Sequence, residues 1–248
     1  MVERGHKICP LFAVFGVTND IFRFDWLHTV DQGIGADFLG NLFEMVLPKL
    51  PGNNKAARCK SLWLEMESYY EKYDVKDRMK GFSYNNLRSS MDLPPKLHGG
   101  NAASCRALIQ FGHLLAQEHL DSNVPLEAAA KDAAYHLFLV YQTLSATTVF
   151  RHEVMEESSR KFALLYGSLR DLSQDPLWRV KPKLHLFLEM CSEDCVPSLF
   201  WTYRDEDFGG SVGHQSKMRG AWCKTSSYMK HALDLFALKN KEPRMVGV

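Results

Sequence analysis

This chain of 248 residues lacks a charge excess, a cysteine pairing pattern and a long apolar run, and each absence excludes something. With 30 basic and 29 acidic residues its formal net charge is +1. A uniformly basic coat for nucleic acid is excluded, and any phosphate contact must come from local clusters such as Arg179/Lys181/Lys183 and Lys217/Arg219/Lys224. Of six cysteines, only Cys191 and Cys195 are close, four apart in an expected helix, with no second pair to complete a zinc site. They read as reduced thiols of an intracellular protein, nuclear or cytoplasmic. No apolar stretch is long enough to span a bilayer, and Met1-Val2-Glu3-Arg4-Gly5-His6 is no signal peptide, so no membrane partner is expected. There is no internal repeat and no low-complexity segment.

What remains is ordinary globular composition, with enough length for a real core in one large or two small domains. Cys9-Pro10 precedes a short apolar run, Leu11 to Phe15, and Asp20 to Phe24 alternates loosely as one strand would. From Asp31 onward the character is helical: Ile34, Phe38, Leu42, Met45 and Val46 share a face, and Pro48 with Pro51-Gly52 stops that helix. A second helix carries Leu62, Trp63, Met66, Tyr69, Tyr70 and Tyr73, an aromatic stripe that suits core packing better than base stacking. Residues 80–100 are loop-rich. Three helices follow at about Ala102–Leu120, Leu126–Thr147 and His152–Leu172, with Asn101 and Pro125 starting the first two. Leu184 to Met190 suits a buried strand or a buried helix equally. A last helix is expected from near Glu206 to Leu238.

Two acid-bearing stretches stand out. Phe24-Asp25-Trp26-Leu27-His28 runs into Asp31-Gln32-Gly33, and about 180 residues later Arg204-Asp205-Glu206-Asp207 opens the last helix. An Asp at such a place is either a helix N-cap or a metal ligand. Carboxylates brought together from distant parts of a chain repel unless a cation separates them, and Mg²⁺ takes few hard oxygen ligands plus water and phosphate. His28 is equally well a satisfied core histidine. Glu206 is either a ligand or a charge complement to a helix N-terminus. Lys183, Arg204, Lys217 and Arg219 are phosphate-holding candidates or solvated surface charge.

Asp25-x-x-His28 with Asp31-x-Gly33 resembles the Asp/Cys-x-x-His motif of eukaryotic cut-and-paste DNA transposases of the DDE type, in the groups related to CACTA and Kyakuja-Dileera-Zisupton elements. Cys9-Pro10-Leu11-Phe12 resembles the approach to it. Leu93-Pro94-Pro95-Lys96-Leu97 leading into Ala102 to Leu108 resembles their helical insertion, and Lys181-Pro182-Lys183-Leu184-His185 their Pro-Lys-x-His stretch. The resemblance covers most of the chain through short, degenerate motifs.

The resemblance implies a mainly α chain: a helical insertion plus the C-terminal portion of an RNase H-like α/β transposase core, with the first core strands missing. Residues 1–30 are then a strand-like core remnant, 31–175 the insertion, and 176–248 the return segment and final acidic helix. Few strands are expected, confined to the first thirty residues and the neighbourhood of Lys183 to Tyr203. Asp25 and Glu206 are implied as catalytic and metal-holding residues for Mg²⁺ or Mn²⁺, supported by His28, Asp31, Asp205 and Asp207. His185 is expected to tie the connector to the core. Asp205 and Asp207 are rivals to Glu206 for the functional role. DNA at transposon ends, the N-terminal remainder of the core and a homo-oligomer are the implied partners. The chain starts too late to hold the first core acid, so it is expected to be an incomplete or relic segment. A domesticated, non-catalytic helical domain that binds DNA or protein is the other reading, and an unrelated helical interaction domain is a third.

Overall fold

Helix starts follow local capping chemistry. Asn54 accepts the Ala57 N–H at 2.9 Å and opens α2 (Lys55–Lys72), and Asn101 accepts the Ser104 N–H at 2.8 Å and opens α3 (Ala102–His119). These bonds satisfy amides that an α-helix leaves without an internal partner. Pro125 stands at the first position of α4 (Pro125–Ser145), where its missing N–H costs nothing. α5 (His152–Leu172) and α6 (Lys183–Ser192) complete the set with α1 (Ala36–Val46), which a 3₁₀ turn at Leu47–Lys49 containing Pro48 brings to its end. The structure, a computed structural model, describes residues 23–88, 90, 92–145, 149–174, 176–199 and 201–203, with 14, 210, 230 and 234. It divides into two compact units, Met1–Phe200 and Trp201–Val248; the helices above all belong to the first.

The described residues are mainly helical and form no strand. Strand near Lys183 was one expectation, and there α6 forms instead. Its buried residues Leu184, Phe187, Met190 and Cys191 recur at helical spacing and make one stripe. α6 ends at Ser192, so Cys195 lies beyond the helix rather than one turn along it from Cys191. The expected strands before Phe22, and the expected last helix apart from residues 210, 230 and 234, fall largely outside the described residues; Arg23 to Asp25 are irregular. No described helix is long and apolar enough to cross a membrane.

Within the first unit α4 packs between α3 and α5, and α6 lies against α5. The core is aromatic: Phe38 meets Phe162 and Trp178, Phe162 meets Tyr166 and Phe187, and Phe187 meets Trp26, all with ring centroids 5.5–6.0 Å apart. Tilted and edge-to-face contacts of this kind add about 0.5–1.5 kcal/mol each beyond burial. Tyr69 and Tyr70 of the α2 stripe are buried, as core packing requires. Trp178 is 1% exposed and holds φ of +53°, a strained value for a bulky residue. It is held there by Asn41, whose Oδ1 accepts the Trp178 N–H at 2.9 Å.

The loop before α3 docks on α1. Leu97 N–H donates to the Ala36 carbonyl at 2.9 Å, and the Lys96 backbone lies over Gly40 so closely that a Cβ there would sit 2.4 Å from Lys96 Cα. Only glycine permits this approach.

Candidate functional site

Trp26 begins a helix that runs unbroken into α1, and its section Leu27–Gly35 is π-helical. π-Helical turns are rare and recur at functional sites. The expected boundary at residue 30 thus lies inside one continuous helix. Asp25 stands at its start. Oδ1 accepts the Leu27 N–H at 3.3 Å and Oδ2 the His28 N–H at 3.1 Å, while the Asp25 backbone carbonyl accepts Thr29 N–H at 3.1 Å. Asp25 is therefore a helix cap. The same Oδ2 contacts His28 Nδ1, so acid and imidazole form a pair at the helix start, with the Asp25 side chain 19% and the His28 side chain 54% exposed.

Asp31 is fully buried one turn further on, where its Oδ1 accepts the Tyr141 hydroxyl from α4 at 2.5 Å. Tyr141 also packs edge-on against Trp26, 5.9 Å between centroids. Asp31 thus fixes the π-helical turn to α4 from within.

Lys183, at the first position of α6, reaches the other side of the turn. Its Nζ donates to the His28 carbonyl oxygen at 2.6 Å, across 155 residues of sequence. Gly33 makes the reach feasible: a Cβ there would meet Lys183 Cδ at 2.9 Å and the His28 oxygen at 3.0 Å. Burial is the main influence pushing the Lys183 ammonium below its usual value, helped by Lys96 and Lys181 nearby. Lys181 pairs with buried Asp37, its Nζ donating to both carboxylate oxygens at 2.9 and 2.8 Å. Asn41, one turn along α1, donates to the Asp37 and Pro95 carbonyls and accepts from Trp178. Arg23 completes the seam with an ion pair to Glu193 beyond α6.

The structure therefore pairs Asp25 with His28 and brings Lys183 to the His28 carbonyl, while the Asp31 side chain turns inward to Tyr141. It leaves His185 apart: its ring is 74% exposed and pairs with Glu189 one turn along α6 at 2.9 Å, so it does not tie the connector to the core. That task falls to Asp37 and Asn41. An acid and an amide at i and i+4 among the apolar residues of α1 are the signal for them. Arg204, Asp205, Glu206, Asp207, Lys217 and Arg219 lie outside the described residues. A separate group, Glu65, Glu118 and His119, holds ligating atoms within 4.8 Å of one another, and His119 Nε2 lies 3.2 Å from Glu65 Oε2 as an ordinary ion pair.

No family model, no curated protein and no solved structure matches the chain.

Proposed function

We propose that this chain is a segment of a DDE-type DNA transposase, in which Asp25 and Glu206 belong to a site for divalent-metal-dependent DNA strand cleavage and transfer. One observation carries the reading. The two stretches that resemble the family's Asp-x-x-His and Pro-Lys-x-His motifs, remote in sequence, meet through the Lys183–His28 bond. A chance resemblance in two unrelated helices gives no reason for that meeting. The π-helical turn between Asp25 and α1 supports it further.

Asp25 suits a hard cation in part. Two N–H groups use some of the about four lone-pair positions of its carboxylate, and the side chain still opens to solvent. Asp25 and Glu206 would hold Mg²⁺ or Mn²⁺, which supplies activation of a water or 3′-hydroxyl and stabilisation of the leaving oxygen. In this reading His28 orients the carboxylate through its Nδ1, and Lys183 holds the backbone of the turn. DNA at transposon ends is the proposed partner, reached through Lys183, Arg204, Lys217 and Arg219. The RNase H-like core, completed by a segment supplying further acid, is the proposed setting.

A second reading has its own support: the bonds of Asp25 to the Leu27 and His28 amides and to the His28 ring are those that a plain helix cap and its neighbouring histidine make. That reading is a non-catalytic helical domain derived from the same source. Asp25→Cys and Glu206→Cys, combined in a background without the native cysteines, separate the two. A short bis-maleimide linker joins them within one molecule if the acids share a site, and fails to if they do not.

A further inference from the structure

We propose that Lys96 and Lys183 form a phosphate seat on one face of the helix that runs from Trp26 through α1, and that the sugar-phosphate backbone of a DNA strand occupies it. Segments remote in sequence bring three lysines to this face. A Cβ on Gly33 would meet Lys183 Cδ at 2.9 Å, Lys181 Nζ donates to both oxygens of Asp37, and the Lys96 backbone lies over Gly40. Gly33, Asp37 and Gly40 stand at i, i+4 and i+7, the spacing of one helical stripe.

The three lysines are not alike. Lys181 is neutralised by Asp37, the carboxylate on this face, which it holds at both oxygens. Lys183 donates to the His28 carbonyl, an uncharged acceptor, so its ammonium keeps its charge and two further N–H groups. Lys96 is half-buried, and no carboxylate among the described residues pairs with it. The positive field of the group is felt by its neighbours. Burial first, then Lys96, pushes the Lys183 ammonium down, and Lys96 likewise adds to burial in lowering the His98 imidazole. Like charges gathered in this way oppose one another, and an anion set between them relieves the repulsion.

The spacing suits a strand. Seven residues of helix, from Gly33 to Gly40, advance about 10 Å. One strand of B-DNA carries a charge every 3.4 Å or so of axis, so about 10 Å spans three phosphate steps. An ammonium is a point charge that takes phosphate without a fixed geometry. The inference rests on the proposed function for the identity of the polyanion. It adds a residue, Lys96, and a course for the strand, across α1 and against the turn that carries Asp25 and His28.

The test is fluorescence anisotropy of a labelled DNA duplex with the full 248-residue chain, in EDTA and over a range of salt. The parent should bind, and its log K should fall linearly with log salt. Lys96→Met, which keeps the stem and should melt like the parent, should lower that slope by about 0.9, the value of one lost phosphate contact. Lys96→Arg should keep the parent slope. So should Lys60→Met, at an exposed position on α2, which removes the same net charge elsewhere. A parent slope retained in Lys96→Met overturns the seat and leaves the transposase reading standing. An equal loss in Lys60→Met overturns it too, because net charge alone then explains the binding. Polyglutamate that displaces the duplex as well as unlabelled duplex does overturns the assignment to DNA. A chain that binds no duplex overturns the seat and the transposase reading together. With the metal chelated, failure of the Asp25 and Glu206 ion site leaves these slopes unchanged.

Discussion

The Lys183 ammonium donates to the His28 carbonyl at 2.6 Å, through space that Gly33 leaves empty. Lys183→Met removes the donor and should cost about 1.5 kcal/mol, the low end for bonds from charged groups because this one is exposed. Gly33→Ala pushes the lysine aside and breaks the same bond. In chemical denaturation the double variant should therefore be less destabilised than the sum of the single ones. Additive losses would show that the two residues act separately.

Asn41→Ala should be the costlier change. It leaves the Trp178 N–H without its acceptor and the buried Pro95 carbonyl without its side-chain donor, whereas the Asp37 carbonyl keeps its helical N–H. Buried groups left unsatisfied cost about 1–3 kcal/mol each, and nothing then holds Trp178 at positive φ. Trp178 fluorescence should shift to longer wavelength in the folded variant as the ring loosens. Stability and fluorescence like those of the parent would refute the clamp.

Asp37 and Lys181 join α1 to the connector before α6 by a pair that is buried at the carboxylate and about one-third exposed at the lysine. Asp37→Asn should cost about 2–3 kcal/mol, less than a fully buried pair because water screens the lysine end. Lys181→Met should cost more, since it strands the buried Asp37 charge. Raised salt should change either loss little; strong salt dependence would place the pair in solvent.

The helices were legible in the sequence; what holds them to one another was not. Asn101 and Pro125 marked helix starts, and Pro48 marked an end, because capping is local chemistry. Leu184 to Met190 stayed ambiguous because a short apolar run carries no period, and packing against α5 and the π-helical turn decides it. The π-helix left no signal, since hydrophobic spacing over nine residues does not separate it from an α-helix. Asp25 and His28 were found as a pair. The partners of Asp31, Asp37 and Lys183 are 110–155 residues away, and no local pattern specifies such a distance. Asp37 and Asn41 carry a local signal of their own, since a polar pair among the apolar residues of a helix predicts a buried network.

Stability should fall in mild acid. Burial holds the His113 and His136 imidazoles below the ordinary value of 6.5, with Lys161 adding to the effect on His136. The unfolded chain binds protons first as the pH falls, so their contribution is complete above about pH 6.5, declines through that value and levels off below their folded pKa values. Replacing both with glutamine should flatten this part of the profile. A profile unchanged by the replacements would assign acid sensitivity elsewhere.

Thermal melting with and without Mn²⁺ tests the proposed divalent-ion site of Asp25 and Glu206. Binding to the folded chain alone raises Tm by mass action. The parent should gain stability with Mn²⁺, and Asp25→Asn and Glu206→Gln should both lose that gain while still folding. Asp25→Asn should also melt lower without metal, by about 0.3–1 kcal/mol for the negative charge lost at the helix N-terminus, since asparagine caps a helix as well as aspartate does. Glu118→Gln, in the separate acidic group, should keep the full metal response. A parent Tm indifferent to Mn²⁺, or a shift that survives in both site variants and vanishes in Glu118→Gln, would rule out that Asp25 and Glu206 hold the ion.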